Sequence, residues 1–293
     1  MQTTLRLALV AGATIVAAGI ALRLLDRRPS SLRSLYLADV RRFERPSDVA
    51  SPPVSEADLA ALPPQVQTYL RRAKVVGRPR VRSFRAIFRG QMRAAPDGGW
   101  MNAEIEQRNY FAPDAPARLF FMKARRWGVP FVGYHRYVGS EATMRVRLAG
   151  LLEVVNASGD LMTQSETVTL FNDICFLAPG ALLDAPVSWE NLDAHRVRAT
   201  YTNAGRSISA VLSFDEAGDL VGFVSQDRYQ SGDGKQFHRF PWSTPLRKYR
   251  DFGAARLASE GDARWQEPSG EWTYARLELL GISYQYGGVP ALP

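Results

Sequence analysis

From residue 81 onward the chain alternates apolar and polar positions with a period of two. VRSFRAIFRGQMR places Phe84, Ala86, Phe88 and Met92 on one face, and Arg85, Arg89 and Arg93 on the other. Similar runs follow: WMNAEIEQRNYF, ARLFFMKARRW, VPFVGYHRYV, EATMRVRL and LLEVVN, each closed by Gly, Pro, Asn or Asp. After one helical interval the alternation resumes at RVRATYTN, RSISAVLSF and DLVGFVSQDRYQ, and later at FPWSTPLRKYRDF, ARLASEGDARW and EWTYARLELLGISYQY. The connections are too short for crossover helices, which argues against a parallel βαβ rhythm. The pattern predicts a mainly β (α+β) fold: a long antiparallel meander of about a dozen strands forming a large curved sheet or half-barrel.

Helices are predicted in two places. Ser55-Glu56-Ala57-Asp58 has the form of a capping box, and Val66, Tyr69, Leu70 and Ala73 carry the apolar stripe of the helix that follows Pro63 and Pro64, so helices are expected near 55–74. The second is QSETVTLFNDICFLA, residues 164–178. At 100° per residue Leu170, Phe171, Val168, Ile174, Cys175 and Ala178 gather on one side, while Glu166 and Asp173 fall together on the other. Cys175 reads as a small packed hydrophobe with no basic neighbour to lower its pKa. The two carboxylates either form a solvated face or, if the helix is a lid over a concave sheet, line its mouth and pair with arginines.

The first quarter of the chain breaks this pattern. Residues 7–22, LALVAGATIVAAGIAL, carry no charge and lie between Arg6 and Arg23. Sixteen helical residues rise about 24 Å, and adding Leu24 and Leu25 with both arginines snorkelling brings the span near the thickness of a bilayer core. No small-x-small cleavage site and no cysteine follow, so an uncleaved transmembrane helix at 1–25 is expected over a signal peptide. The arginines after the run favour a cytoplasmic domain, but the flank before it is only six residues long, and the side of the membrane is left open. Residues 26–54 read as a basic, then Pro/Ser-rich linker, and 55–289 as the β domain.

Charge follows the same division. The net is +8, of which the first 45 residues supply +5, leaving an ordinary globular surface elsewhere. Basic residues beside an apolar run suit anionic headgroups better than nucleic acid, so membrane lipid is the expected partner and nucleic acid is not.

Motif chemistry is sparse. His135, His195 and His238 have no metal-ligand spacing, and the single cysteine rules out Cys/His clusters. G-x-S-x-G, the P-loop and G-x-G-x-x-G are all missing, so no catalytic residue, metal or cofactor is assigned. Glu104, Glu106 and Arg108 share one strand face and read as a charged outer surface. Asp227-Arg228-Tyr229 is polar in a strand-like run, with Asp227 and Tyr229 on one face, and with Glu166 and Asp173 completes the set of candidate ligand-binding residues.

The ordered series LPPQVQTYL, FNDICFLAPGALL, SWE, NAGRSISAVLSFDEAGDLVGF, DRY, WSTP with a tyrosine four residues on, and GEWTYARLELLGISYQY resembles a bacterial membrane-anchored family of unknown function. Its members carry LPxxVxxYL and FNDxCxxAPxxLID. Asn172, Asp173, Cys175, Pro179 and Asp184 match the second motif, with Leu183 in place of isoleucine. The resemblance spans about residues 55–287. Its pattern is similar to the open half-barrels of the Lol lipoprotein carriers, which implies a curved sheet holding acyl chains beneath helices. The leading expectation is therefore a binding protein in the bacterial inner membrane with a lipid or other apolar ligand between the sheet and a lid helix. An enzyme using Asp173 and Asp227 on a lipid-like substrate, and a scaffold with a solid core, are the alternatives.

Overall fold

A computed structural model describes residues 28–44, 52–112 and 116–286. The expected transmembrane helix at 1–25 lies outside the described residues. Among those described, no helix is long and apolar enough to cross a membrane.

Six strands come first in the domain: β1 (Val81–Met92), β2 (Met101–Tyr110), β3 (Ala117–Arg126), β4 (Val129–Val138), β5 (Glu141–Leu148) and β6 (Leu152–Ala157). Helix α4 (Asp160–Leu177) and a short 3-10 turn (Pro179–Leu183) then lead to β7 (Val187–Asn191), β8 (Arg196–Asn203), β9 (Arg206–Phe214) and β10 (Leu220–Ser225). A small hairpin, β11 (Tyr229–Gln230) with β12 (His238–Arg239), precedes β13 (Trp242–Asp251), β14 (Arg256–Glu267) and β15 (Gly270–Tyr286). Thirteen strands form one antiparallel sheet in the order β6-β5-β4-β3-β2-β1-β15-β14-β13-β10-β9-β8-β7. The predicted mainly β architecture is thus one large antiparallel sheet with few helices.

The order dictates where the long helix goes. The first strand pairs with the last at the centre, and β6 and β7 stand at opposite edges. The chain between those edges must cross the sheet, and α4, at about 1.5 Å per residue, is about 27 Å long. Strands of both arms, β5 on one side and β9 and β10 on the other, curl round to touch it. Register shifts at Ile87/Phe88 and Ala263/Arg264 mark bulges, the usual means of bending such a sheet. Fourteen of the 18 residues of α4 are buried, so it is enclosed on nearly every side; the sequence reading had allowed it a solvated face.

Three further helices cover the sheet. Two, α2 (Glu56–Leu59) and α3 (Pro64–Arg72), close one end, with Leu59, Val66 and Leu70 fully buried. There Tyr69 Oη donates to the Cys175 carbonyl at 2.8 Å and Tyr284 Oη to that of Leu177, satisfying carbonyls at the end of α4. Helix α1 (Leu32–Phe43) corrects the reading of 26–54 as a linker with little to bury. Leu32, Tyr36 and Val40 recur every four residues and are buried, while Arg33, Arg41 and Arg42 point outward and hide that stripe in the composition. Tyr36 stacks on Phe121 at 5.1 Å and meets Tyr134 edge-on, which places α1 on the sheet face away from α4. Strand β3 is consequently buried on both faces over its first six residues.

The β1–β15 seam tolerates no added volume at Gly90, where a Cβ would sit 2.1 Å from the Arg276 carbonyl oxygen. Gly90→Ala should cost about 1–3 kcal/mol. Gly222→Ala, with nothing nearer than 3.7 Å, should change stability little. Thermal unfolding followed by circular dichroism separates the two; equal melting temperatures would contradict this seam.

Candidate functional site

One face of α4 meets the sheet across open space bridged by polar side chains. Met162, Ser165, Glu166, Thr169, Asn172, Asp173 and Phe176, spaced three or four apart, face a cavity of about 470 Å³. Its far wall is made by inward positions of β1 to β5 and of β13 to β15, and the β11–β12 hairpin covers it with Tyr229 and Phe237.

The wall is apolar and unusually soft. Met92, Met101, Met122, Met144 and Met162, every methionine after Met1, line this one space. Phe88, Phe120, Phe131, Trp242, Trp265 and Trp272 add aromatic surface to the same wall. Unbranched thioethers adapt to irregular shapes, and methionine is over-used where a surface must accept varied apolar partners.

A cluster of buried polar groups lies beside α4. Arg118, buried on β3, donates from Nε to Asp173 Oδ2 at 2.6 Å and from a terminal nitrogen to Glu166 Oε2 at 2.9 Å. Gln107 and Asn109 of β2 add donors to the same Asp173 oxygen at 2.6 and 3.3 Å. On the other side of Glu166, Oε1 lies 3.6 Å from Arg228 and 3.8 Å from His135 Nδ1. Burial opposes the charge on Glu166, but Arg118, His135 and Arg228 together hold its pKa down at about 2. Burial instead wins at Asp173, whose pKa is raised although Arg118 works against the shift. Arg228 is itself fixed: its guanidinium lies 4.4 Å from the Trp242 ring and 5.0 Å from that of Trp265, and it donates to Thr169 and to Tyr274 Oη.

The candidates read from the sequence therefore divide. Glu166, Asp173, Arg228 and Tyr229 all line the cavity. Asp227 is not among the lining residues: it accepts from the Ser209 amide at 2.7 Å and from Arg239 at 2.6 Å, tying the base of the small hairpin to β9. Asp173 and Asp227 do not meet. Cys175, fully buried on the opposite side of α4, packs as a hydrophobe. Glu106 pairs with Arg85, and Arg108 with Glu44, on the outer surface.

Arg118, Gln107, Asn109 and His135 were missed by the sequence reading. The signal was present in the alternation: Arg118 shares its parity with Phe120 and Met122, and Gln107 and Asn109 share theirs with Ala103 and Ile105. A polar side chain on an inward position needs a buried partner.

Residues 52–277 match the model of a family of unknown function, DUF6544. No curated protein matches the chain. Among solved structures, it is similar to a DUF1329 family protein from Desulfovibrio piger, at 13% identity and a TM-score of 0.41 over 76% of this chain and 92% of that one. It is also similar to a LolA superfamily protein from Nitrosomonas europaea, at 11% identity and a TM-score of 0.39 over 77% and 94%.

Removing the shared cation leaves two buried carboxylates facing each other. Arg118→Leu should destabilise the fold by about 3–5 kcal/mol, read as a lower urea midpoint at pH 7. The acid limb tests Glu166 separately. Its folded pKa of about 2 lies below the ordinary 4.5, so its contribution is present above 4.5 and lost as the pH falls towards 2. Glu166→Gln should flatten the loss of stability over that window, and an unchanged slope would contradict the assignment.

Proposed function

The chain belongs to the DUF6544 family of unknown function, and from the cavity's form we propose that it is a binding protein for a lipid or similar apolar ligand, held between the curved sheet and α4. The observation that carries this reading is the methionine and aromatic wall of a cavity of about 470 Å³, with Arg118, Glu166, Asp173 and Arg228 clustered beside α4. Pockets that take small ligands span about 300–1,000 Å³ and are lined in this way, by apolar surface with a few placed polar groups.

The two regions have separate tasks. The methionines accept a flexible chain without demanding one shape. The Arg118–Glu166–Asp173 group sets one guanidinium between two carboxyl groups, and Arg228 adds a second guanidinium beside Glu166. It fixes α4 and gives a polar end of the ligand a surface to meet. A carboxylate held by a buried arginine and two side-chain amides suits positioning more than proton transfer. The chain is anchored in the bacterial inner membrane by residues 7–22 on this reading, so its ligand is drawn from the lipid around it.

A chain starting at Arg28 keeps α1 and omits the apolar run, and it is the form to titrate. It should bind a fluorescent fatty acid saturably, and Met144→Trp, which fills part of the cavity, should weaken binding at least tenfold while the melting temperature stays within a few degrees. Equal affinity in the two proteins, or no saturable binding, would overturn the reading.

A further inference from the structure

Five of the nine exposed large apolar side chains among the described residues gather next to the cavity. Trp127, at 88% exposure, is the most exposed large hydrophobic residue described, and Val129, Leu151, Leu152 and Val154 lie close to it in the sheet. The register explains the grouping. Arg126 pairs with Val129 across the turn Trp127-Gly128, Leu148 pairs with Leu152 across the next turn but one, and Phe131 pairs with Leu148. The tips of the β3–β4 and β5–β6 hairpins are therefore neighbours on one rim.

Trp127 is unexpected there on two counts. Its φ is 51°, in the left-handed region, and Gly128 follows at 81°. A two-residue hairpin turn with positive φ at both centres favours Asn-Gly, and a bulky aromatic is disfavoured in that conformation. Nothing in the fold repays this by burying the indole, whose main contact is the Arg126 guanidinium at 4.2 Å. Tryptophan is enriched at the boundary between lipid and water, where a neighbouring arginine can meet anionic headgroups.

Two further observations name the occupant. The described chain begins at this rim: the carbonyl of Ser30 accepts from Arg147 at 2.8 Å, one residue before Leu148 and the β5–β6 turn. Leu25, at the end of the apolar stretch, is five residues from Ser30, a reach of at most about 17 Å. Arg28 and Arg125 are exposed on the same side, with Arg126 half-buried, which suits anionic headgroups.

We infer that the hairpin tips at Trp127–Val129 and Leu151–Val154 are a membrane-inserting surface that holds this rim against an anionic bilayer. Val154 is both 41% exposed and part of the cavity lining, so the cavity opens towards that bilayer. The other end of the domain, closed by α2 and α3, faces away. This orientation stands whether or not the cavity holds a ligand.

Cys175 is fully buried, so a cysteine placed on the surface takes a label alone. The full chain carrying Leu151→Cys, and separately Trp127→Cys, is labelled with nitrobenzoxadiazole and reconstituted into vesicles of phosphatidylglycerol and phosphatidylcholine. Glu216→Cys, exposed in the β9–β10 turn at the opposite end, is the control. Labels at 151 and 127 should shift to the blue and be quenched at least twofold by lipids brominated in their acyl chains, while the label at 216 does neither. Absence of quenching at both positions, or equal quenching at 216, overturns the inference. A blue shift without quenching also overturns it, because it means that a second copy or another protein covers the rim.

Discussion

Arg118 is a buried cation on the inner face of a strand, and the position of α4 follows from the need to pair it. An unpaired charge at this depth would cost several kcal/mol, so Glu166 and Asp173, two helical turns apart, must both face β3. That fixes the rotation of α4 about its axis. Topology fixes its direction, because β6 and β7 are opposite edges of one open sheet and the helix is the connection between them. With both set, the same face turns Met162, Thr169 and Phe176 into the cavity between the helix and the sheet.

The cavity's chemistry is consistent with this division between a fixed side and an adaptable one. Arg118, Gln107 and Asn109 lock one side with hydrogen bonds to Asp173, two of them at 2.6 Å. Arg228, wedged between two tryptophans, locks the neighbouring corner. The same cavity is lined by five methionines, the side chains least able to enforce a single shape. A rigid polar anchor facing a compliant apolar wall suits ligands that share one end and vary along the other.

Much of the fold was legible in the sequence because its period is local. Alternation identified strands such as β1 to β5, the two faces of β1 and the charged outer face of β2, and the carboxylates of α4 were marked by their spacing of seven. The pairing of β1 with β15 was not legible, since no local pattern records a contact nearly 200 residues apart. Helix α1 was hidden by its own arginines, which gave a three-residue apolar stripe the composition of a linker. The candidate site was half visible: Glu166, Asp173, Arg228 and Tyr229 were named, but their partners on β2 and β3 required following inward parity to its polar exceptions. Asp227 looked equivalent to its neighbours in sequence, and only the turn into the small hairpin sends it to Ser209 and Arg239 instead.

The central claim is that the cavity is a place for a lipid-like molecule and not a packing defect. Native mass spectrometry of the chain from Arg28 onward, purified without detergent from bacterial cells and followed by solvent extraction, tests it most directly. The account predicts a mass above that of the polypeptide by one acyl-containing molecule, released on denaturation. A bare polypeptide mass that stays unchanged after incubation with membrane lipid would contradict it.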